Sequence, residues 1–214
     1  MKRLAELLGL QDRTRVVDIG ASPIDGMPPY KGLLDAGLCQ VTGFEPQPEQ
    51  LARLNQLKGQ QELYLPYVLG DGSMHSLQVC RSVGFTSLLE PDPASLALFE
   101  YYQPLGQVLA REQVQTRRLD DVEEIECIDF LKIDIQGSEL SVFQNGRRKL
   151  AQTVFIQTEV SFVTLYKDQP AWGEVDLELR AQGFMPHCFA NIKHWPIAPA
   201  VIDGDPAKPL NQLL

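Results

Sequence analysis

Arg15-Val16-Val17-Asp18-Ile19-Gly20-Ala21-Ser22 decides the fold. A short β-branched apolar run that stops at glycine reads as a strand followed by a tight turn. The same pattern recurs downstream. Gln40-Val41-Thr42-Gly43-Phe44 is a second strand ending at Glu45-Pro46, and residues 63–69 are a third, broken at Gly70-Asp71-Gly72. Ile128-Asp129-Phe130-Leu131-Lys132-Ile133 is a fourth, ending at Asp134; residues 154–160 are a fifth and 184–192 a sixth. Helical segments lie between them. One starts at Pro28-Pro29 and stops at Gly37, one carries Leu51, Leu54 and Leu57 within 48–57, one carries Leu140, Phe143 and Leu150, and one spans 173–182 before Gly183. Strands alternating with helices predict an α/β fold with a parallel sheet. Residues 73–118 depart from the alternation and read as a β-rich insertion: strand patterns at 75–81 and 113–118 flank a helical stretch at 93–102.

The chain has 214 residues, 44% of them hydrophobic and 22% charged, which predicts a single domain with a real core, about 14–190, and a weakly patterned tail, 196–214. No run reaches the roughly 18 apolar residues needed to span a bilayer, and Met1-Lys2-Arg3-Leu4-Ala5-Glu6 meets an acid too early for a signal peptide. A net charge of -9 without a dense basic patch argues against nucleic acid as a partner. Cys39, Cys80, Cys127 and Cys188 show no C-x-x-C spacing, and His75, His187 and His194 no metal spacing. Reduced thiols in the cytoplasm and no protein-held metal are the expectation.

In doubly wound sheets the ligand lies beyond the carboxyl ends of the strands. Five acids fall there: Asp18, Glu45, Asp71, Asp134 and Glu159. Each has an ordinary structural use, as a helix cap or an Asx turn, but five exceed what capping requires. The turn after the first strand has Gly20 followed by Ser22-Pro23-Ile24, so it lacks the remaining glycines of a pyrophosphate cradle and carries no cation. That disfavours a nicotinamide-dependent oxidoreductase. S-adenosyl-L-methionine has no pyrophosphate: its sulfonium suits an acidic rim, and a carboxylate after the second strand accepts hydrogen bonds from a ribose diol. Glu45 stands 27 positions after Asp18, near the spacing of about 20 for a ribose-binding acid.

Val17-Asp18-Ile19-Gly20-Ala21, Gly43-Phe44-Glu45-Pro46-Gln47-Pro48, Leu69-Gly70-Asp71, Leu119-Asp120-Asp121, the stretch Phe130-Leu131-Lys132-Ile133-Asp134-Ile135-Gln136-Gly137-Ser138-Glu139 and Thr158-Glu159-Val160 resemble, in that order, the FkbM-type S-adenosylmethionine-dependent methyltransferases. The resemblance implies a class I methyltransferase fold, Rossmann-like and doubly wound, with a seven-stranded, mostly parallel sheet. It implies O-methylation of a hydroxyl on a small molecule or sugar. The expected cofactor-binding residues are Asp18, Gly20, Ala21, Ser22, Glu45, Pro46, Gly70, Asp71, Asp134 and Gln136. Asp134 and Glu159 are the expected proton acceptors, since a hydroxyl must lose its proton to a group within about 3 Å. Three positions depart from the family pattern: Ser22 and Ile24 replace Asn and the second Gly, and Gln136 replaces Glu. They motivate an alternative, a binding module for S-adenosylmethionine or a nucleotide that lacks catalysis and serves as a regulatory partner. The seventh strand has only residues 200–202 as a candidate.

Overall fold

The computed structural model describes residues 12–22, 26–201 and 203–205. Met1–Glu6, Pro23, Ile24, Ile202 and the end of the tail therefore lie outside the described residues. Contacts group the chain into two compact units. The first comprises the chain up to Ser73 together with Gln115–Asp134 and Asn145–Thr158; the second comprises Met74–Val114, Ile135–Gln144 and the chain from Glu159 onward.

The first unit holds a five-stranded parallel sheet in the order β3-β2-β1-β7-β8, built from β1 (Thr14–Ile19), β2 (Cys39–Phe44), β3 (Glu62–Leu65), β7 (Phe130–Ile133) and β8 (Phe155–Thr158). This is the expected Rossmann-like α/β sheet. The chain runs outward from β1 to β3, then resumes on the other side of β1 at β7, so the strand order reverses between β1 and β7. Open α/β sheets bind ligands at such a reversal. Helix α1 (Lys31–Asp35) and helix α2 (Pro48–Leu57) connect the first three strands. Pro48 starts α2 because proline suits a first helical position, where its missing N–H would have no partner. Val16, Tyr30, Cys39 and Val41 form one apolar cluster, and Ala21, Leu54 and Tyr64 another. Burial pushes the Cys39 thiol up to about 11, which marks it as an inert core residue.

Gly43 is required by packing. A Cβ there would lie 2.5 Å from Cδ1 of Tyr64, whose ring covers the position. The expected third strand divides at Pro66: β3 ends at Leu65, and β4 (Val68–Leu69) joins a second, three-stranded sheet of order β4-β6-β5. Proline has no N–H to continue a ladder, so the strand stops there. The expected helix over 140–150 likewise divides, into α4 (Glu139–Gln144) and α5 (Arg147–Leu150), with Asn145-Gly146 between.

The second unit contains the expected insertion. Strand β5 (Met74–Cys80) lies beside β6 (Val108–Arg117), whose last two residues pair with β4 in the first unit's segment of the chain. The helix expected at 93–102 is a single turn, α3 (Pro93–Leu96), opened by Asp92, which accepts the Ala94 N–H at 3.0 Å. Cys80, Phe85, Leu96 and Tyr166 form this unit's core, and α6 (Trp172–Ala181) packs on α4.

The sixth strand does not form. Residues 184–192 have no strand among the described residues, Met185 is 83% exposed and Pro186 interrupts the segment. Ala200 and Val201 are not in a strand either, so among the described residues the main sheet has five strands where the resemblance implied seven.

Candidate functional site

The register of the first unit sets the site. Ile19, Phe44 and Ile133 are level with one another, and Phe44 is level with Leu65. Gly20, Glu45 and Asp134 therefore leave the sheet at one edge. Asp134 donates its N–H to the carbonyl of Ile19 at 3.0 Å, and Glu45 donates its N–H to that of Leu65 at 3.1 Å.

The turn after β1 depends on Gly20. Its φ of 78° lies in the left-handed region open to glycine, and the N–H groups of Gly20 and Ala21 both reach the carbonyl of Phe44, at 3.1 and 3.0 Å. Ala21 is buried. The hydroxyl oxygen of Ser22 is buried without a hydrogen-bond partner among the described residues, and an unsatisfied buried hydroxyl calls for a partner.

Glu45 is 2% exposed, with Oε1 accepting the N–H of Gln47 at 2.8 Å. Burial pushes its proton affinity above the usual carboxylate range, against the pull of the Gln47 N–H and Lys132. Among the described residues only Oε1 is engaged, which leaves Oε2 to accept from a ligand. Pro46, half-buried, carries the chain from Glu45 to the start of α2.

Asp18 is placed differently from the expectation of a ligand contact. Its side chain is buried, Oδ2 accepts the Tyr30 hydroxyl at 2.6 Å, and Oδ1 lies 3.1 Å from Nζ of Lys132. Burial raises its pKa, opposed by Lys132 and Tyr30. The same Lys132 Nζ donates to the carbonyl of Gly20 at 2.8 Å. Lys132 and Tyr30 were missed by sequence reasoning. A cation inside the apolar run Phe130-Leu131-Lys132-Ile133 was the available signal, since buried charges need partners.

Gly70 and Asp71 come directly after β4. Asp71 Oδ1 accepts the Ser73 N–H at 2.8 Å and the Thr116 hydroxyl at 3.3 Å, so this carboxylate serves an Asx turn. A Cβ on Gly70 would meet Thr116 at 3.1 Å.

The second unit contains Gln136 and Glu159. Gln136 is a non-glycine residue with φ of 58°; its carbonyl accepts the Ser87 hydroxyl at 2.7 Å and its Nε2 donates to Glu159 Oε2 at 3.3 Å. Glu159 Oε1 also lies 3.6 Å from Nζ of Lys193. Glu139, outside the expected site, is buried and closes the loop through Oε1, which accepts the N–H groups of Ile135 at 2.8 Å and Gly137 at 3.3 Å. Tyr166 is a core residue, and Trp172 forms an exposed trio of rings with Phe162 and Phe189.

Counting acids at strand ends thus overstates the negative charge, because Asp18 and Glu159 each have a lysine partner. Among the described residues no group of three or more His, Cys, Asp or Glu is arranged to hold a metal, and no helix is long and apolar enough to cross a membrane.

Comparison with known proteins gives the family. A family model described as the methyltransferase FkbM domain matches residues 18–186. The 2-O-methyltransferase NoeI of Sinorhizobium fredii (strain NBRC 101917 / NGR234) is 44% identical over 59 residues, which cover 26% of this chain and 24% of that protein. The matched stretch thus spans about a quarter of that relative's length. No solved structure matches the chain.

Proposed function

The chain belongs to the FkbM methyltransferase family, and from that premise we propose that it is an S-adenosyl-L-methionine-dependent O-methyltransferase whose acceptor is a hydroxyl on a small molecule or sugar. The observation that carries the reading is Glu45: a buried carboxylate at the end of β2, one strand from the strand-order reversal, with one oxygen held by Gln47 and the other open to a diol. The orphaned Ser22 hydroxyl on the turn after β1 fits a polar ligand as well. The naming of a 2-O-methyltransferase among the relatives supports a hydroxyl acceptor.

Glu45 would hold the ribose diol, and Gly20, Ala21 and Ser22 would line the approach to the amino-acid end, where a glycine backbone permits close contact. The bound cofactor supplies an electrophilic methyl on a sulfonium. The chain itself contributes placement, since an in-line displacement gains most of its rate from alignment. When the cofactor is bound, the chain's part would be to hold the acceptor hydroxyl in line with the sulfonium methyl and to take the hydroxyl's proton on a carboxylate. Asp134, at the end of β7, is the assigned base, with Glu159 as the other candidate. Gly70 and Asp71 remain assigned to the adenine side, and Gln136 to the loop after β7.

Calorimetry with S-adenosylhomocysteine and with NAD tests the cofactor, and a screen of tritiated S-adenosylmethionine against hydroxyl compounds tests the transfer. Binding of S-adenosylhomocysteine with no NAD heat is expected. NAD binding in its place would overturn the reading.

A further inference from the structure

We infer that Lys132 is a positioning residue: its ammonium, lodged between the Asp18 carboxylate and the Gly20 carbonyl, sets the turn through which the adenosyl ligand is bound. The inference rests on the cofactor reading above and goes beyond it, because Lys132 need not touch the ligand.

Asp18 and Lys132 are register partners on adjacent central strands, so their side chains leave the sheet on the same face. Their side chains are 3% and 15% exposed, which makes this a buried pair. A buried ion pair is weak evidence for stability, since two apolar side chains of similar volume often serve as well or better. The pair's other contact explains why a lysine stands there. A carboxylate and a backbone carbonyl are both acceptors and cannot bond each other, whereas an ammonium has three donors and can bridge them. Lys132 sits between them, donating to the Gly20 oxygen at 2.8 Å and forming an ion pair with Asp18 Oδ1 at 3.1 Å. Tyr30 fixes the far oxygen of Asp18 at 2.6 Å.

The turn is thereby held from both neighbouring strands. Phe44, at the end of β2, takes the N–H groups of Gly20 and Ala21, and Lys132, from β7, takes the Gly20 carbonyl. A glycine in the left-handed region has little conformational preference of its own, so these outside contacts decide its geometry. Asp18 acts on the turn through Lys132.

The test is S-adenosylhomocysteine calorimetry, thermal melting and amide NMR on the full chain and its variants. In Lys132→Met the Kd should rise about ten-fold or more, and the Gly20 and Ala21 amide signals should move. That variant leaves Asp18 buried without its cation, which is destabilising in its own right, so Asp18→Asn/Lys132→Met is the deciding form. Without a buried charge it should regain the melting temperature of the wild type, yet still bind S-adenosylhomocysteine weakly, because the Gly20 carbonyl stays unclamped. A double variant that recovers affinity together with stability would overturn the inference, as would unmoved Gly20 and Ala21 signals. Failure of the wild type to bind S-adenosylhomocysteine would instead refute the cofactor reading, while the amide signals would still report whether Lys132 sets the turn.

Discussion

If the Glu45 carboxylate accepts the ribose diol, Glu45→Ala removes hydrogen bonds to a charged group, whose net worth is about 1.5–3 kcal/mol. That corresponds to a rise of roughly 10- to 150-fold in the Kd for S-adenosylhomocysteine. The same carboxylate also holds the Gln47 N–H at 2.8 Å, ahead of α2, so the substitution has a structural cost of about 1 kcal/mol. For a chain of this size that lowers the melting temperature by roughly 2–4 °C, far from unfolding. Glu45→Gln separates the two contributions. Its amide oxygen can still accept from Gln47, but an NH2 donor replaces the oxygen facing the diol, so stability should stay near wild type while affinity falls.

The pH dependence supplies an independent check. Burial raises the pKa of Glu45, and the protonated group loses acceptor capacity. Affinity for S-adenosylhomocysteine should therefore fall as pH drops through that raised value, before ordinary surface carboxylates titrate, and Glu45→Gln should lack this fall. Isothermal titration calorimetry across pH, with melting curves on the same samples, reads both effects. A folded Glu45→Ala protein that binds S-adenosylhomocysteine with wild-type affinity would refute the ribose assignment.

Asp134→Asn should lower kcat by about 10²–10⁴ with little change in melting temperature if Asp134 takes the acceptor's proton, because Asn keeps the size and caps equally well; near-normal turnover would pass the role to Glu159. Gly43→Ala should cost about 1–3 kcal/mol, since its Cβ would stand 2.5 Å from the Tyr64 ring and the ring must move, and chemical denaturation measures this directly. Activity should survive EDTA; complete loss on chelation, restored by Mg²⁺ or Mn²⁺, would show that acids at the strand ends hold a metal.

The parallel sheet was legible in the sequence because its strands are short apolar runs between turn residues, and that pattern does not depend on the packing partners of each strand. Residues 40–44 and 48–57 became β2 and α2 almost residue for residue. Failures came where the pattern was right but a local residue forbade the element. Residues 63–69 have strand character throughout, yet Pro66 divides them between two sheets. Residues 184–192 include Phe184, Phe189 and Ile192, but Pro186 interrupts them and the Phe189 ring packs on Phe162 and Trp172, where no neighbouring strand is needed. The helix stripe of Leu51, Leu54 and Leu57 extends one residue too far, since Leu57 is 72% exposed and only Leu54 is fully buried.

Site residues were legible to the extent that backbone position alone placed them. Glu45 and Asp134, the residues proposed for the site, follow from taking the first residue beyond each strand, because that position leaves the sheet at its carboxyl edge whatever its side chain does. Asp18 satisfied nearly the same rule, one residue inside its strand, but its carboxylate faces Tyr30 and Lys132. Position brought it toward the edge, but register set it opposite Lys132, and register is known only once β1 and β7 are known to be neighbours. The lysine in Phe130-Leu131-Lys132-Ile133 was visible from the start, and so was an aspartate at the matching depth of the first strand. Two opposite charges among the buried residues of adjacent central strands are more simply explained by each other than by two separate functions. A count of acids at strand ends therefore measures the acidity of the chain, and only after the pairs formed by register are subtracted does it measure the acidity that a ligand meets. For the first unit that subtraction removes Asp18 and leaves Glu45 as the buried carboxylate with an oxygen to offer.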